Sequence, residues 1–302
     1  MSTCCVAVCQ GYFGRHTTPR RNCTTIIARM REAASRGSRL ALFPELSLSG
    51  YVTAPEDVQA RCSTTTPDLI ASVRRAAEEF GIAAVIGIFE TSPGSVKAYN
   101  VSLAIAPDGS MTRYRKIHIC PNEPGFEPGE SLQGPVVADL GFVRLGLSVC
   151  YDNWFPETAR MAFLAGAEML HMPFYWPAEW EVCDDIPRMR VPRQQDVVLA
   201  SRRHRMMKVL ASRALDNGMY LVAVDQSNIS DDVGDHLPGK SMVFDPYGEV
   251  VVETVGWCAE TLYFDYDSDR VGEWRASEFF PGNHLRPDVY LRAYERFAGQ
   301  IG

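Results

Sequence analysis

The chain has 302 residues, 46% of them hydrophobic and 22% charged, and carries a formal net charge of −7 at neutral pH. That length and apolar content suffice for a large core, and no Pro- or Gly-rich linker interrupts it, so a single domain over 1–302 is expected. The acidic balance argues against a nucleic-acid role for the protein as a whole, and charges such as Glu168 break the apolar stretches well short of a bilayer span.

Nine cysteines are scattered without the paired C-x-x-C spacing of a zinc site and read as reduced thiols. The N-terminal stretch Met1-Ser-Thr-Cys-Cys-Val-Ala-Val-Cys9 lacks the basic region of a signal peptide. It reads as a first strand, and a cytoplasmic protein is expected. Thr18-Pro19 is an N-cap followed by Pro at the first helical position, predicting a helix to Gly37; Thr66-Pro67-Asp68 opens a second, to about Phe80. Arg39-Leu-Ala-Leu-Phe43 is a short apolar strand, and further strands are predicted at 83–89, 100–106, 143–150, 168–174 and 221–225. The basic run from Arg188 to Lys208, with Arg202, Arg203 and Arg205, reads as the solvated face of a helix ending near Asn217. A carboxylate-binding use for one of these arginines stays open. Strands at 241–244 and 249–254 join at the turn Pro246-Tyr-Gly248, and no internal repeat is detected. The alternation predicts an α/β class with helices covering sheets.

Three strand ends carry chemistry. Phe43-Pro-Glu45 places a carboxylate directly after one strand, Tyr114-Arg-Lys116-Ile-His118 an ammonium after another, and the strand ending at Cys150 runs through Tyr151-Asp-Asn-Trp154 into a helix opening at Phe155-Pro. A lone cysteine is more often a small buried hydrophobe than a nucleophile. The company of Glu45 and Lys116 changes that reading: helix amides and the Lys116 cation are expected to favour the Cys150 thiolate.

In this order and these contexts the residues resemble the carbon–nitrogen hydrolase (nitrilase) superfamily. The likeness extends through Tyr99-Asn-Val-Ser-Leu-Ala-Ile-Ala-Pro-Asp-Gly109, Arg213-Ala-Leu-Asp-Asn-Gly-Met-Tyr220, Gly239-Lys-Ser-Met-Val-Phe-Asp-Pro-Tyr-Gly248 and Arg286-Pro-Asp-Val-Tyr290. It implies a four-layer αββα sandwich, a Glu45–Lys116–Cys150 triad, and a homodimer or larger homo-oligomer. The C-terminal tail, 266–302, either crosses onto a partner subunit or folds back. The resemblance also implies a second glutamate near the lysine, for which Glu123, Glu127 and Glu130 are candidates; Glu123 fits best by its spacing to Phe126. His118 is read as a supporting residue.

An amide is a poor electrophile with a poor leaving group, so its cleavage needs a nucleophile, charge stabilisation and a proton source. In the expected mechanism Glu45 takes the thiol proton and Cys150 attacks. Lys116 and the backbone N–H of Tyr151 hold the oxyanion, where one donor is worth about 3 kcal/mol. No metal or organic cofactor is called for. Tyr151-Asp152 in place of Trp-Glu favours amide over nitrile, and the stretch from Cys150 to Glu157 resembles N-carbamoylputrescine amidases. Asn153 and Trp154 stand where a carboxylate-clamping arginine occurs in some relatives, making Asn153 a candidate substrate contact. Tyr175, Trp176 and Glu179, beyond a strand C-terminus, are candidate pocket walls suited to an amine- or arene-bearing substrate; packing or a subunit contact is the alternative for Trp176 and Trp180. An acyltransferase using the same thioester with an amine acceptor, and a catalytically silent binding or scaffold protein, are the other functions the sequence leaves open.

Overall fold

The structure, a computed structural model, describes residues 3–91, 94–129, 136–178, 195–228 and 236–301. The first strand, β1 (Thr3–Gln10), pairs parallel with β2 (Leu40–Leu42) and antiparallel with β14 (Glu260–Asp267). The sheet continues through β3 (Ala83–Thr91), β4 (Ala98–Ile105) and β5 (Met111–Arg115), giving the order β14-β1-β2-β3-β4-β5. A second six-stranded sheet is built from β6 (Val137–Asp139), β7 (Arg144–Leu147), β8 (Met169–Phe174), β9 (Tyr220–Asp225), β12 (Met242–Phe244) and β13 (Val250–Glu253), in the order β13-β12-β9-β8-β7-β6. Between β9 and β12 lies a two-stranded ribbon of β10 (Ser227–Asn228) and β11 (Leu237–Pro238).

Side-chain alternation divides each central strand between two cores. In β1 and β2, Val6, Val8, Leu40 and Leu42 point into the space between the sheets, where they meet Leu145, Met172 and Val222. Their neighbours Ala7, Cys9 and Ala41 face outward onto Ile26 and Met30 of α1 (Pro19–Ser35) and Val73 of α3 (Pro67–Phe80). On the far side, Ala159 and Ala162 of α4 (Pro156–Leu164) and Met206, Leu210 and Ala214 of α5 (Gln195–Asn217) cover the second sheet. Helix, sheet, sheet, helix is thus the layer order, in agreement with the expected αββα sandwich. Ile26 and Met30 are fully buried, so truncating either to Ala should cost about 2–5 kcal/mol.

The predicted helix starts hold because their signals are local, a capping bond with Pro at the first and Pro alone at the second, where Thr66 makes no side-chain cap. Thr18 Oγ1 accepts the Arg21 amide at 3.3 Å with Pro19 opening α1, and α3 begins at Pro67 and stops at Gly81, left-handed at φ +64°. Helix α2 (Pro55–Thr64) escaped sequence reading because only Val58 in it is buried, leaving no apolar period to detect. The strand expected over 143–150 ends at Leu147; Cys150 instead opens a 3-10 turn, Cys150–Trp154. Arg202 is a correction too. Rather than lying on a solvated face it is fully buried, donating to Asp225 Oδ2 (2.6 Å) and to the carbonyls of Gly239 and Trp176, whereas Arg203 beside it is exposed and pairs with Glu253.

At the C-terminus come α6 (Ser268–Ala276) and α7 (Pro287–Ile301). Residues 286–300 are all exposed, and α7 leaves Tyr290, Leu291, Tyr294 and Phe297 open, touching α4 through a Tyr294–Glu157 hydrogen bond of 2.6 Å. Among the described residues the cysteines are free thiols, no His/Cys/Asp/Glu cluster could hold a metal ion, and no helix is long and apolar enough to cross a membrane.

Candidate active site

Glu45, Lys116 and Cys150 sit just past the ends of β2, β5 and β7, and the two sheets bring these three ends together. Glu45 lies in a tight turn with Leu46 at φ +50°. That turn rests on β3 at Gly87, where a Cβ would overlap the backbone of Leu46 and approach the Glu45 carbonyl carbon; glycine is what lets the carboxylate-bearing turn sit so close. Ser47 Oγ accepts the Gly87 amide at 3.0 Å and Gln226 Nε2 donates to the Glu45 carbonyl at 2.9 Å, pinning the turn from both sheets.

The Lys116 ammonium, fully buried, donates to Glu45 Oε1 at 3.0 Å and to both oxygens of Glu123 at 2.8 Å. Of the three glutamates proposed for the second carboxylate, Glu123 therefore reaches the lysine. Glu127 instead accepts from Ser95 Oγ at 3.2 Å, and Glu130 lies outside the described residues. Two residues given no role by sequence reading complete the shell: Asn100 Nδ2 donates to Glu45 Oε1 at 2.8 Å, and Tyr51 O–H to Glu123 Oε1 at 3.0 Å. Asn100 stands inside the Tyr99–Gly109 motif and Tyr51 six residues after Glu45, in the stretch Glu45-Leu-Ser-Leu-Ser-Gly-Tyr51, which was the available signal. The Tyr175 amide donates to Glu45 Oε2 at 3.0 Å, so this residue holds the carboxylate as well as lining the site.

Electrostatics corrects one expectation. Burial pushes the Cys150 thiol well above its ordinary value, Glu45 adds to the rise, and the Lys116 cation only partly offsets it. The protonated thiol is therefore favoured over the thiolate expected beside a cation: desolvation of the anion outweighs the Lys116 charge. Burial likewise raises Glu45, against the pull of Lys116. For Lys116 burial acts downward, but the carboxylates, Glu45 first and Glu123 after it, hold the ammonium well above its usual value. The site thus keeps a fixed cation and a carboxylate of heightened proton affinity beside an undissociated thiol.

Cys150 has φ +45°, a left-handed conformation that non-glycine residues adopt at a cost of about 1–3 kcal/mol. It opens onto a cleft of about 370 Å³ whose walls include Tyr151, Trp154, Phe174, Tyr175, Trp176 and Arg205. Tyr175 stacks flat on Tyr51 at 3.7 Å between ring centroids, and the Arg202 guanidinium lies 4.6 Å from the Trp176 ring. Tyr175 and Trp176 therefore line the cleft as the sequence suggested, and Glu179 and Trp180 lie outside the described residues. Asn153 does not line this cleft: its Oδ1 is 2.8 Å from Ser148 Oγ and its Nδ2 donates to the Cys150 carbonyl at 3.0 Å. Its hydrogen bonds hold the turn that carries the sulfur, and it borders a small adjoining pocket with Trp154, Phe174, Trp176 and Arg205.

The Carbon-nitrogen hydrolase family model matches residues 5–276. N-carbamoylputrescine amidase of Arabidopsis thaliana is 30% identical over 86% of this chain and 86% of its own, and the (R)-stereoselective amidase of Pseudomonas sp. is 31% identical over 71% and 68%. A solved double mutant of the amidase from Nesterenkonia sp. AN1, in complex with acrylamide, superposes with a TM-score of 0.74 over 97% of each chain at 24% identity, a likeness of fold. With strands, clustered Glu, Lys and Cys, and a match over nearly its whole length, the chain belongs to the carbon–nitrogen hydrolase family.

Proposed function

We propose that this amidase-type carbon–nitrogen hydrolase cleaves a non-peptide linear amide or N-carbamoyl C–N bond through a thioester on Cys150. The observation that carries the reading is a fully buried ammonium held by two carboxylates beside a strained, undissociated thiol. With the protonated thiol favoured at rest, attack requires removal of its proton, and Glu45, its proton affinity raised by burial, is the acceptor. All three Lys116 donors are engaged before substrate arrives. Once Glu45 has taken the thiol proton it is neutral and its hold on Lys116 weakens, so one ammonium N–H can turn to the new oxyanion; the Tyr151 backbone N–H, in the first turn of its 3-10 helix, supplies a second donor. The C–N bond breaks as Glu45 returns the proton to the leaving ammonia or amine. Water then gives a proton to Glu45 while its oxygen attacks the thioester, and that proton passes to the departing Cys150 sulfur, restoring thiol and carboxylate. Glu123 keeps Lys116 charged and placed throughout.

The relatives' names support an amide or carbamoyl amine as the scissile group, and the aromatic walls Trp154, Phe174 and Trp176 support an apolar or arene-bearing body. The expected homo-oligomer finds support in the open apolar residues of α7; light scattering should give a mass above one subunit, which Phe297→Ser with Leu291→Ser lowers. The function is tested with a panel of propionamide, phenylacetamide and N-carbamoylbenzylamine, assaying ammonia release with Cys150→Ala as control. Release that disappears in the variant, fastest on the arene-bearing members, is the expected result. Equal release by the variant sinks the proposal.

A further inference from the structure

The reading above explains Glu45, Lys116, Glu123 and Cys150 but leaves a second buried carboxylate unused. Asp152 is fully buried and lies outside the lining of the cleft. Its Oδ1 accepts the backbone N–H of His118 and pairs with His118 Nδ1, each at 2.8 Å; its Oδ2 accepts the Tyr114 hydroxyl at 2.8 Å and the Val149 amide at 3.1 Å. Four partners on one side chain satisfy both oxygens. An ionised carboxylate can only accept, so the His118 proton sits on Nδ1 and the tautomer follows from the partner.

The chain positions of these partners give the arrangement its meaning. Tyr114 and His118 stand two residues before and two residues after Lys116, while Val149 and Asp152 bracket Cys150. His118 is also locked by stacking on Phe155, 3.7 Å between ring centroids and 10° between planes. The segment that carries the ammonium and the turn that carries the sulfur come from different sheets, and this carboxylate ties one to the other. A residue at φ +45° relaxes unless its surroundings over-determine it, and Asp152 acts on one side of Cys150 as Asn153 does at its carbonyl.

We infer that Asp152, with Tyr114 and His118 as its partners, is a positioning residue that holds the Cys150 sulfur in register with Lys116 and Glu45. The inference rests on Cys150 being the nucleophile. It predicts an effect on the chemical step and not on binding, since the cleft walls Trp154, Phe174 and Trp176 are supplied by other residues. Displacements of about 1 Å in such constellations cost on the order of 100-fold in rate.

The test compares wild type, Asp152→Asn, Tyr114→Phe and Cys150→Ala. It measures kcat and KM on phenylacetamide, the rate of Cys150 alkylation by iodoacetamide followed by intact mass, and the melting temperature. Asn loses one of the two acceptor edges, and Phe removes one donor without adding a clash. We expect kcat to fall about 100-fold in Asp152→Asn and about tenfold in Tyr114→Phe, with KM unchanged and alkylation slowed in proportion in both. Should Asp152→Asn fail to fold, Tyr114→Phe carries the test alone. Wild-type kcat per folded molecule in these variants, with Cys150→Ala inactive, overturns the inference and leaves the nucleophile standing. An active Cys150→Ala instead overturns the reading beneath it.

Discussion

Lys116 and Arg202 are both cations with no solvent exposure, yet they are built for different ends. Among the described residues Arg202 meets the Asp225 carboxylate, the carbonyls of Gly239 and Trp176, and the flat face of the Trp176 ring. The planar fork is matched there by fixed acceptors. Lys116 faces two carboxylates with the Cys150 thiol beside them, and burial, with the Glu123 charge adding to it, raises the proton affinity of Glu45. Burial raises Asp225 as well, to about 7, so what separates the two sites is the thiol that lies beside Glu45 and Lys116.

The largest effect should come from removing that proton acceptor. Glu45→Gln keeps the shape and leaves Lys116 paired with Glu123, so kcat should drop on the order of 10³-fold while denaturant unfolding shifts little; a large loss of stability with kcat intact would erase the distinction. Arg202→Met should do the reverse. It strands the Asp225 carboxylate in the interior and should cost about 3–5 kcal/mol of stability, with kcat per folded molecule far less affected than in Glu45→Gln.

Acid supplies a subtler probe of what burial does. His171, against the Phe43 carbonyl at 3.0 Å, is pushed down to about 3 by burial. It stays neutral in the folded state where an unfolded imidazole, near 6.5, takes a proton, so the unfolded chain binds more protons and stability is lost as pH falls from about 6.5 towards 3. His171→Gln should flatten the loss between pH 7 and 4.5 by about 2–3 kcal/mol in urea titrations. Activity should respond separately: Glu45 must be ionised to accept the thiol proton, so kcat/KM falls as pH drops through a value above the usual carboxylate range. An acid limb at an ordinary carboxylate value would contradict the account.

What could be read from sequence divides along the same line. Glu45 and Cys150 were legible because contiguous apolar runs stop at or just before them, Lys116 through the motif around it, since β5 before it is mostly polar, and Thr18-Pro19 because a cap is local. Strand β14 was not, since it pairs with β1 across some 250 residues and no local pattern announces a partner that remote. Arg202 and Arg203 are neighbours in one basic run, but helix geometry turns one inward and the other out. The thiolate expectation failed for a related reason: the Lys116 charge is visible in sequence, whereas the depth at which Cys150 lies, decisive for its proton, is a property of the folded layers.

The central claim is a covalent acyl group on Cys150 formed with Glu45 as proton acceptor. The most direct measurement is acid quenching of the wild-type enzyme during phenylacetamide turnover, followed by intact mass and peptide mapping. The account predicts one phenylacetyl group on the Cys150 peptide, removable by hydroxylamine and absent in Cys150→Ala. Ammonia release with no adduct at Cys150, and undiminished in Cys150→Ala, would contradict it.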